Sequence, residues 1–226
     1  MFLRKYITFI ILGITLSISA QNRGEDKLGS WAMLFTQNQI SEKLSIHAEA
    51  QYRTYEFGDN FNQLLLRTAL NYHISEKAMV SFGYGHITTD GTFEEPQDEK
   101  NSTENRIYEQ FVLKNNLGKF NFSHRYRLEQ RFVDNPAAGK STLHRARYFL
   151  RVTYPLSKTW FITAYDEVFI NLQNEFFGQN RLYGALGYTF NPQLSLQVGY
   201  LKNDFSVDTY DRFQVGLFVK TDLKKK

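Results

Sequence analysis

From Leu44 onward, polar and apolar residues alternate with a period of two in run after run. That period sends neighbouring side chains to opposite faces of a sheet. In 119–132 one face carries Phe120, Phe122, His124, Tyr126, Leu128 and Phe132. The other carries Asn121, Ser123, Arg125, Arg127, Glu129 and Arg131. In 143–154, Ala146, Tyr148, Leu150, Val152 and Tyr154 oppose Arg145, Arg147, Arg151 and Thr153. In 194–203, Leu194, Leu196, Val198 and Tyr200 oppose Ser195, Gln197 and Gly199. The pattern predicts strands over 44–56, 63–74, 79–88, 105–115, 119–132, 143–154, 159–170, 179–190, 194–203 and 209–220. Strands 105–115 and 159–170 alternate less cleanly than the rest.

The connections alternate in length. Short ones fall at Ser75–Ala78, Asn116–Gly118, Pro155–Lys158 and Asn191–Gln193, and they hold the Pro, Gly, Asn and Ser that tight turns demand. Longer polar loops separate them, the longest over Thr89–Glu104 with an acidic core at Glu94–Glu99. Short turns at one rim and longer loops at the other describe a bacterial outer-membrane barrel, with the short turns facing the periplasm. Trp31–Gln37 reads as a further strand or partial strand, apolar at Trp31, Met33 and Phe35. Single-chain bacterial barrels normally have even strand numbers, so the expectation is ten to twelve strands in an all-β, transmembrane, antiparallel up-and-down barrel. It would occupy 44–226, preceded by an N-terminal segment over 21–43.

Residues 1–20 read as a signal peptide. Arg4 and Lys5 precede the apolar run Tyr6–Ile18, and small residues lead up to Ala20. The run is shorter than the roughly 20 residues a spanning helix needs, and nothing after it is long and apolar enough for a helical membrane protein. Cleavage after Ala20, with Ile18 an imperfect −3 residue, would remove two of the positive charges behind the net +4. Export also makes nucleic acid an improbable partner. The expected partners are outer-membrane lipid, lipopolysaccharide and the barrel-assembly machinery, with the outer membrane as the address. Cysteine is absent, which excludes disulfides, thiolate metal sites and a lipid-anchored cysteine.

Alternation alone also fits a soluble β-sandwich or lipocalin-like barrel with its apolar face inward. Strand length argues otherwise, because these runs match the roughly 9–11 residues of a tilted crossing, and soluble strands average about five or six. Charge sorting argues the same way. The arginines other than Arg4 and Arg23 lie in strands, and Lys43, Lys77, Lys100, Lys119, Lys140 and Lys158 lie in turns or at strand ends. A confined lumen prefers the planar guanidinium, which pairs bidentately with carboxylates and stacks on aromatic rings. An aromatic content of 16% suits a barrel with interfacial girdles.

Several short motifs recur in order along the chain. They are Trp31, Gln51-Tyr-Arg53, Leu65-Leu-Arg67, Asn105-Arg106 with Glu109-Gln110, Arg125-x-Arg127-x-Glu129-x-Arg131, Arg145-x-Arg147, Asp166-Glu167-Val-Phe169 and Gln179-Asn-Arg181. Together they resemble an uncharacterised family of outer-membrane β-barrels, domain of unknown function 2490. The resemblance implies a barrel and an outer-membrane address, and no activity.

The residues assigned to the lumen are Glu49, Arg53, Arg67, Arg125, Arg127, Glu129, Arg131, Arg145, Arg147, Arg151, Glu167, Arg181 and Arg212, with Glu109 joining them. Two roles suit such a set. The charges fill a narrow barrel with a rigid paired network, or they form a cationic constriction that selects small anions. A lipid-modifying enzyme is the third class. His86, His124 and His144 are expected to face outward, but Ser123 and His124 are adjacent and so point to opposite faces. No histidine–serine spacing suggests catalysis, so neither enzyme activity nor a cofactor is expected. Glu94, Glu95, Asp98 and Glu99 could gather hard cations, but a solvated acidic loop is the simpler reading and no metal is expected. Gly83 and Gly85 relieve crowding within a curved strand.

Overall fold

The alternating runs fold as strands, and the strands close on themselves. The computed structural model describes residue 24 and residues 26–93, 101–173 and 175–224. Its elements are β1 (Leu28–Gln39), β2 (Leu44–Glu56), β3 (Asp59–His73), β4 (Ala78–Thr89), β5 (Ser102–Leu117), β6 (Phe120–Asn135), β7 (Gly139–Pro155), β8 (Trp160–Asn171), β9 (Phe177–Asn191), β10 (Leu194–Asp204) and β11 (Thr209–Asp222). All are strands, and the sheet is a closed barrel in which sequence neighbours pair antiparallel. The expected signal peptide and the acidic core of the long loop lie outside the described residues.

Among the described residues the barrel has eleven strands, within the expected range, and departs from the even, wholly antiparallel pattern at one seam. Trp31–Gln37 belongs to a full strand of 12 residues, β1, rather than a partial one. β1 pairs antiparallel with β2 and parallel with β11, from Leu28↔Asp211 to Gln39↔Asp222. A parallel ladder is slightly weaker per residue than an antiparallel one, but closing the sheet removes both exposed edges. Because the strand number is odd, Leu28 lies at one rim and Asp222 at the other. The lower rim holds the connections 40–43, 74–77, 118–119, 156–159 and 192–193, and the opposite ends of the strands form the upper rim. At Leu117–Phe120 the chain reverses through Gly118 at φ 58, a left-handed conformation that glycine adopts without steric penalty.

Register tilts the strands. Followed from Trp31 through Arg53, Gln63 and Thr89, one row of partners reaches Ser102 on β5. Followed the other way through Gln214, Gly199, Ala185, Thr163, Thr153 and Asn121, it reaches Asn116 on that same strand. The mismatch is the shear that strand tilt imposes on a closed sheet.

Alternation sets the two surfaces. Ile46, Leu66, Leu70, Phe82, Tyr126, Leu128, Leu182 and Tyr200 are exposed on the outer face. Glu129, Arg127, Arg147, Glu167 and Gln214 are buried inside. Glycine makes room for large inward groups at two places. A Cβ on Gly83 would stand 2.2 Å from Cζ of Tyr108, and one on Gly187 would stand 2.1 Å from Cζ of Phe161.

Candidate functional site: the lumen

Alternation along β6 and β7 turns Arg125, Arg127, Glu129, Arg145, Arg147 and Arg151 inward, as expected. The register then decides which of them meet. Glu129↔Arg145 and Arg127↔Arg147 are direct cross-strand partners. Glu129 is the hub, its side chain wholly buried. One carboxylate oxygen accepts from Nε and Nη2 of Arg145 at 2.8 and 2.6 Å. The other accepts from Nη1 of Arg147 at 2.6 Å, with Nη1 of Arg106 at 3.5 Å and of Arg127 at 3.6 Å.

Arg147 carries the network across to β8. Its Nε and Nη2 donate to Glu167 at 3.0 and 2.7 Å, where Nη2 of Arg125 also arrives at 2.7 Å. Arg131 grips both oxygens of Glu104 at 2.9 and 2.8 Å, and Nε of Arg106 joins at 2.6 Å. Across the lumen, Arg67 donates through Nε to Glu49 at 2.9 Å. Gln51 also donates to Glu49 and accepts from Nε of Arg53 at 3.0 Å, so one amide couples Arg53 to the carboxylate. Charge-assisted contacts of this kind are the strong class of hydrogen bond.

Aromatic rings lie beneath the guanidinium groups. Arg53 sits 3.7 Å over Trp31, Arg147 4.1 Å over Phe169, Arg127 4.4 Å over Tyr108 and Arg125 4.4 Å over Phe149. Trp31, Tyr108 and Phe169 are buried. The network therefore packs against the ring faces and is bounded by Tyr183 and Leu201 beside Trp31.

One assignment is corrected. Glu109 faces outward, opposite Phe82 and among Leu70, Phe111 and Leu128. β5 carries apolar residues on both parities, so its faces could not be told apart from the sequence. Its inward face runs through Glu104, Arg106, Tyr108 and Gln110. Glu104 and Arg106 are thus lumen residues that the sequence reading missed; their two-residue spacing from Tyr108 and Gln110 was the available signal. Trp31, Met33 and Phe35 also point inward, since the exposed positions of β1, Leu28, Ala32 and Leu34, fall on the other parity.

Glu49, Arg53, Arg67, Arg125, Arg127, Glu129, Arg131, Arg145, Arg147, Glu167, Arg181 and Arg212 lie on inward faces as expected. Arg181 reaches Asn203 at 3.2 Å, and Arg212 reaches the carbonyl of Asp211 at 3.0 Å. Arg151 also faces inward, but near the lower rim and apart from the network.

The outward histidines make polar contacts. His86 meets Asn105 at 2.9 Å, and His124 meets Tyr148 at 2.9 Å and Asn115 at 3.0 Å. A serine–histidine contact does exist inside, between Ser45 and Nε2 of His73 at 2.8 Å, on strands too far apart in sequence for spacing to show. Ser45 is fully buried, and Asn71 donates to the serine rather than orienting the histidine. Among the described residues no group of three or more His, Asp or Glu side chains is arranged to hold a metal ion.

A family model described as a protein of unknown function (DUF2490) matches residues 28–214. The chain belongs to the DUF2490 family. No curated protein matches it. The DUF2490 match opens at Leu28, the first residue of β1, so the strand that makes the barrel odd is part of the family's domain. It also spans the whole arginine–glutamate network, from Glu49 to Arg212.

Proposed function

We propose that this chain is exported to the outer membrane and serves there as a closed, non-catalytic structural barrel sealed by its arginine–glutamate filling. The observation that carries this reading is Glu129, a carboxylate with no exposed side-chain surface held by arginines from β5, β6 and β7. Its partners come from adjacent strands, and longer reaches, Arg181 over Trp31 and Arg67 over Tyr108, support a bore filled by side chains at this level. Strands of 11 to 17 residues are long enough for a tilted crossing. The outer face, rich in exposed Leu, Ile, Phe and Tyr, suits contact with acyl chains and lipopolysaccharide. The barrel-assembly machinery would act during biogenesis. Support for a non-catalytic role comes from the outward histidines, which engage Asn and Tyr side chains.

A second reading has its own observation. The inward arginines, now including Arg106, far outnumber the inward glutamates Glu49, Glu104, Glu129 and Glu167, and an excess of guanidinium favours anions. Planar-bilayer recording separates the two. The sealed barrel is expected to be silent, and stable anion-selective conductance would replace it with a pore. Fractionation and gel mobility test the membrane itself. The protein should sediment with the outer membrane and migrate faster unboiled than boiled. A mature chain that stays soluble without detergent would overturn the membrane reading.

A further inference from the structure

Below the sealed centre the lumen changes character. Lys114 on β5, Ser123 on β6 and Arg151 on β7 are successive partners in one row of the sheet. All three lie on inward faces near the lower ends of their strands, and Tyr165 continues the row on β8. Neighbouring strands stand about 4.8 Å apart, so the two cations flank the short serine with roughly 10 Å between their backbones. Lys114 is exposed and Ser123 and Arg151 are half-buried, in contrast to the buried network above, so solvent reaches them from the lower rim.

Among the described residues, none of these three side chains has a hydrogen-bond or ion-pair partner. Arg125, one inward position above Ser123, spends Nη2 on Glu167 and leaves its buried Nε without an acceptor. Lys220 on β11 adds a further inward cation near that rim. Glu167 is already taken by Arg147 and Arg125. The inward carboxylate below the row is Asp222, at the rim and 3.6 Å from Lys224. Above, each inward glutamate among the described residues meets an arginine; here two cations and a hydroxyl stand with no carboxylate between them.

We propose that Lys114, Ser123 and Arg151 form a blind binding site for a small soluble oxyanion entering from the lower rim. A tetrahedral or planar oxyanion presents several acceptor oxygens, one for the Arg151 fork, one for the ammonium of Lys114 and one for the Ser123 hydroxyl. Bound there, it neutralises a row whose like charges otherwise repel across a confined space. The site does not require a conducting lumen, because ligand enters and leaves by the same rim.

Calorimetric titration of inorganic phosphate into the full chain, folded in detergent at fixed chloride, tests this. Saturable binding at one site is expected. Arg151→Gln and Lys114→Gln should each weaken it about tenfold, the loss of one charge-assisted hydrogen bond. Lys140→Gln, the same change on the exposed upper rim, should leave it intact. Ser123→Asp places a carboxylate between the two cations, so it should abolish phosphate binding and raise thermal stability, a gain that a merely misfolded variant would not show. Absence of saturable binding, or unchanged affinity in Lys114→Gln and Ser123→Asp, would overturn the site. Competition by a short-chain phospholipid would overturn its assignment to a soluble anion. Bilayer silence tests the seal separately, so the two ideas fail independently.

Discussion

Arg147 donates to Glu129 at 2.6 Å in the middle of the lumen, and the side chain of Glu129 keeps no exposed surface. A carboxylate so placed is tolerable only because arginines surround it; removing one partner of a buried pair leaves an uncompensated charge. Glu129→Gln removes the negative charge shared by Arg145 and Arg147 and replaces one of the two accepting oxygens with an NH2 donor that faces arginine donors. The expected cost is about 3–5 kcal/mol, read as a lower temperature for conversion of the fast-migrating folded band to the slow one. A variant as heat-resistant as the parent would remove Glu129 from its place as hub.

Gly83 supports the network from below. Its hydrogen sits where a methyl group would strike the Tyr108 ring, which in turn lies under Arg127. Gly83→Ala should destabilise by about 1–3 kcal/mol through overpacking. Combining it with Tyr108→Leu should cost less than the sum of the two single changes, because the clash partner is gone. Additive costs would show that the ring moves aside freely.

Leu128 tests the outer face. It projects outward next to the hub residue Glu129, near mid-height of the barrel. If that face meets hydrocarbon, Leu128→Arg should lower folding stability in lipid bilayers by about 2–4 kcal/mol. Leu117→Arg, at the lower end of β5, should cost no more than about 1 kcal/mol. Equal and small effects at both positions would argue for a water-facing surface.

β1 tests closure. Leu34 is partnered on both sides, by Ala50 in β2 and by Leu217 in β11. Proline there lacks the N–H that a doubly paired strand uses. Leu34→Pro should abolish the heat-resistant folded band, and a proline in the exposed turn at Glu42 should not. Survival of the band in Leu34→Pro would mean that β1 is dispensable.

Much of this was legible in the sequence, for identifiable reasons. β6 and β7 alternate strictly, so the faces of Arg125, Arg127, Arg145 and Arg147 followed from parity alone. β5 does not, since Tyr108 and Val112 point inward while Phe111 and Leu113 point outward, so its pattern leaves the outward face of Glu109 hidden. In β1 the inward residues Trp31, Met33 and Phe35 are apolar because they pack beneath arginines, as Trp31 does under Arg53, or stack on a ring, as Phe35 does on Phe218 at 4.6 Å. Partner choice was not legible at all. That Arg147 bridges Glu129 and Glu167, or that Lys114, Ser123 and Arg151 share a row, depends on register, which parity does not fix.

The seam between β1 and β11 has a kinetic meaning as well. It joins residues near the two ends of the domain, Leu28 to Asp211 and Gln39 to Asp222, so the pairing with the greatest sequence separation is the one that completes the barrel. Local hairpins such as β5–β6 can form while the chain is still arriving, whereas this ladder must wait for the last strand. Closure is thereby set as the late, slow event of folding, and until it occurs the arginines of the lumen remain open to water.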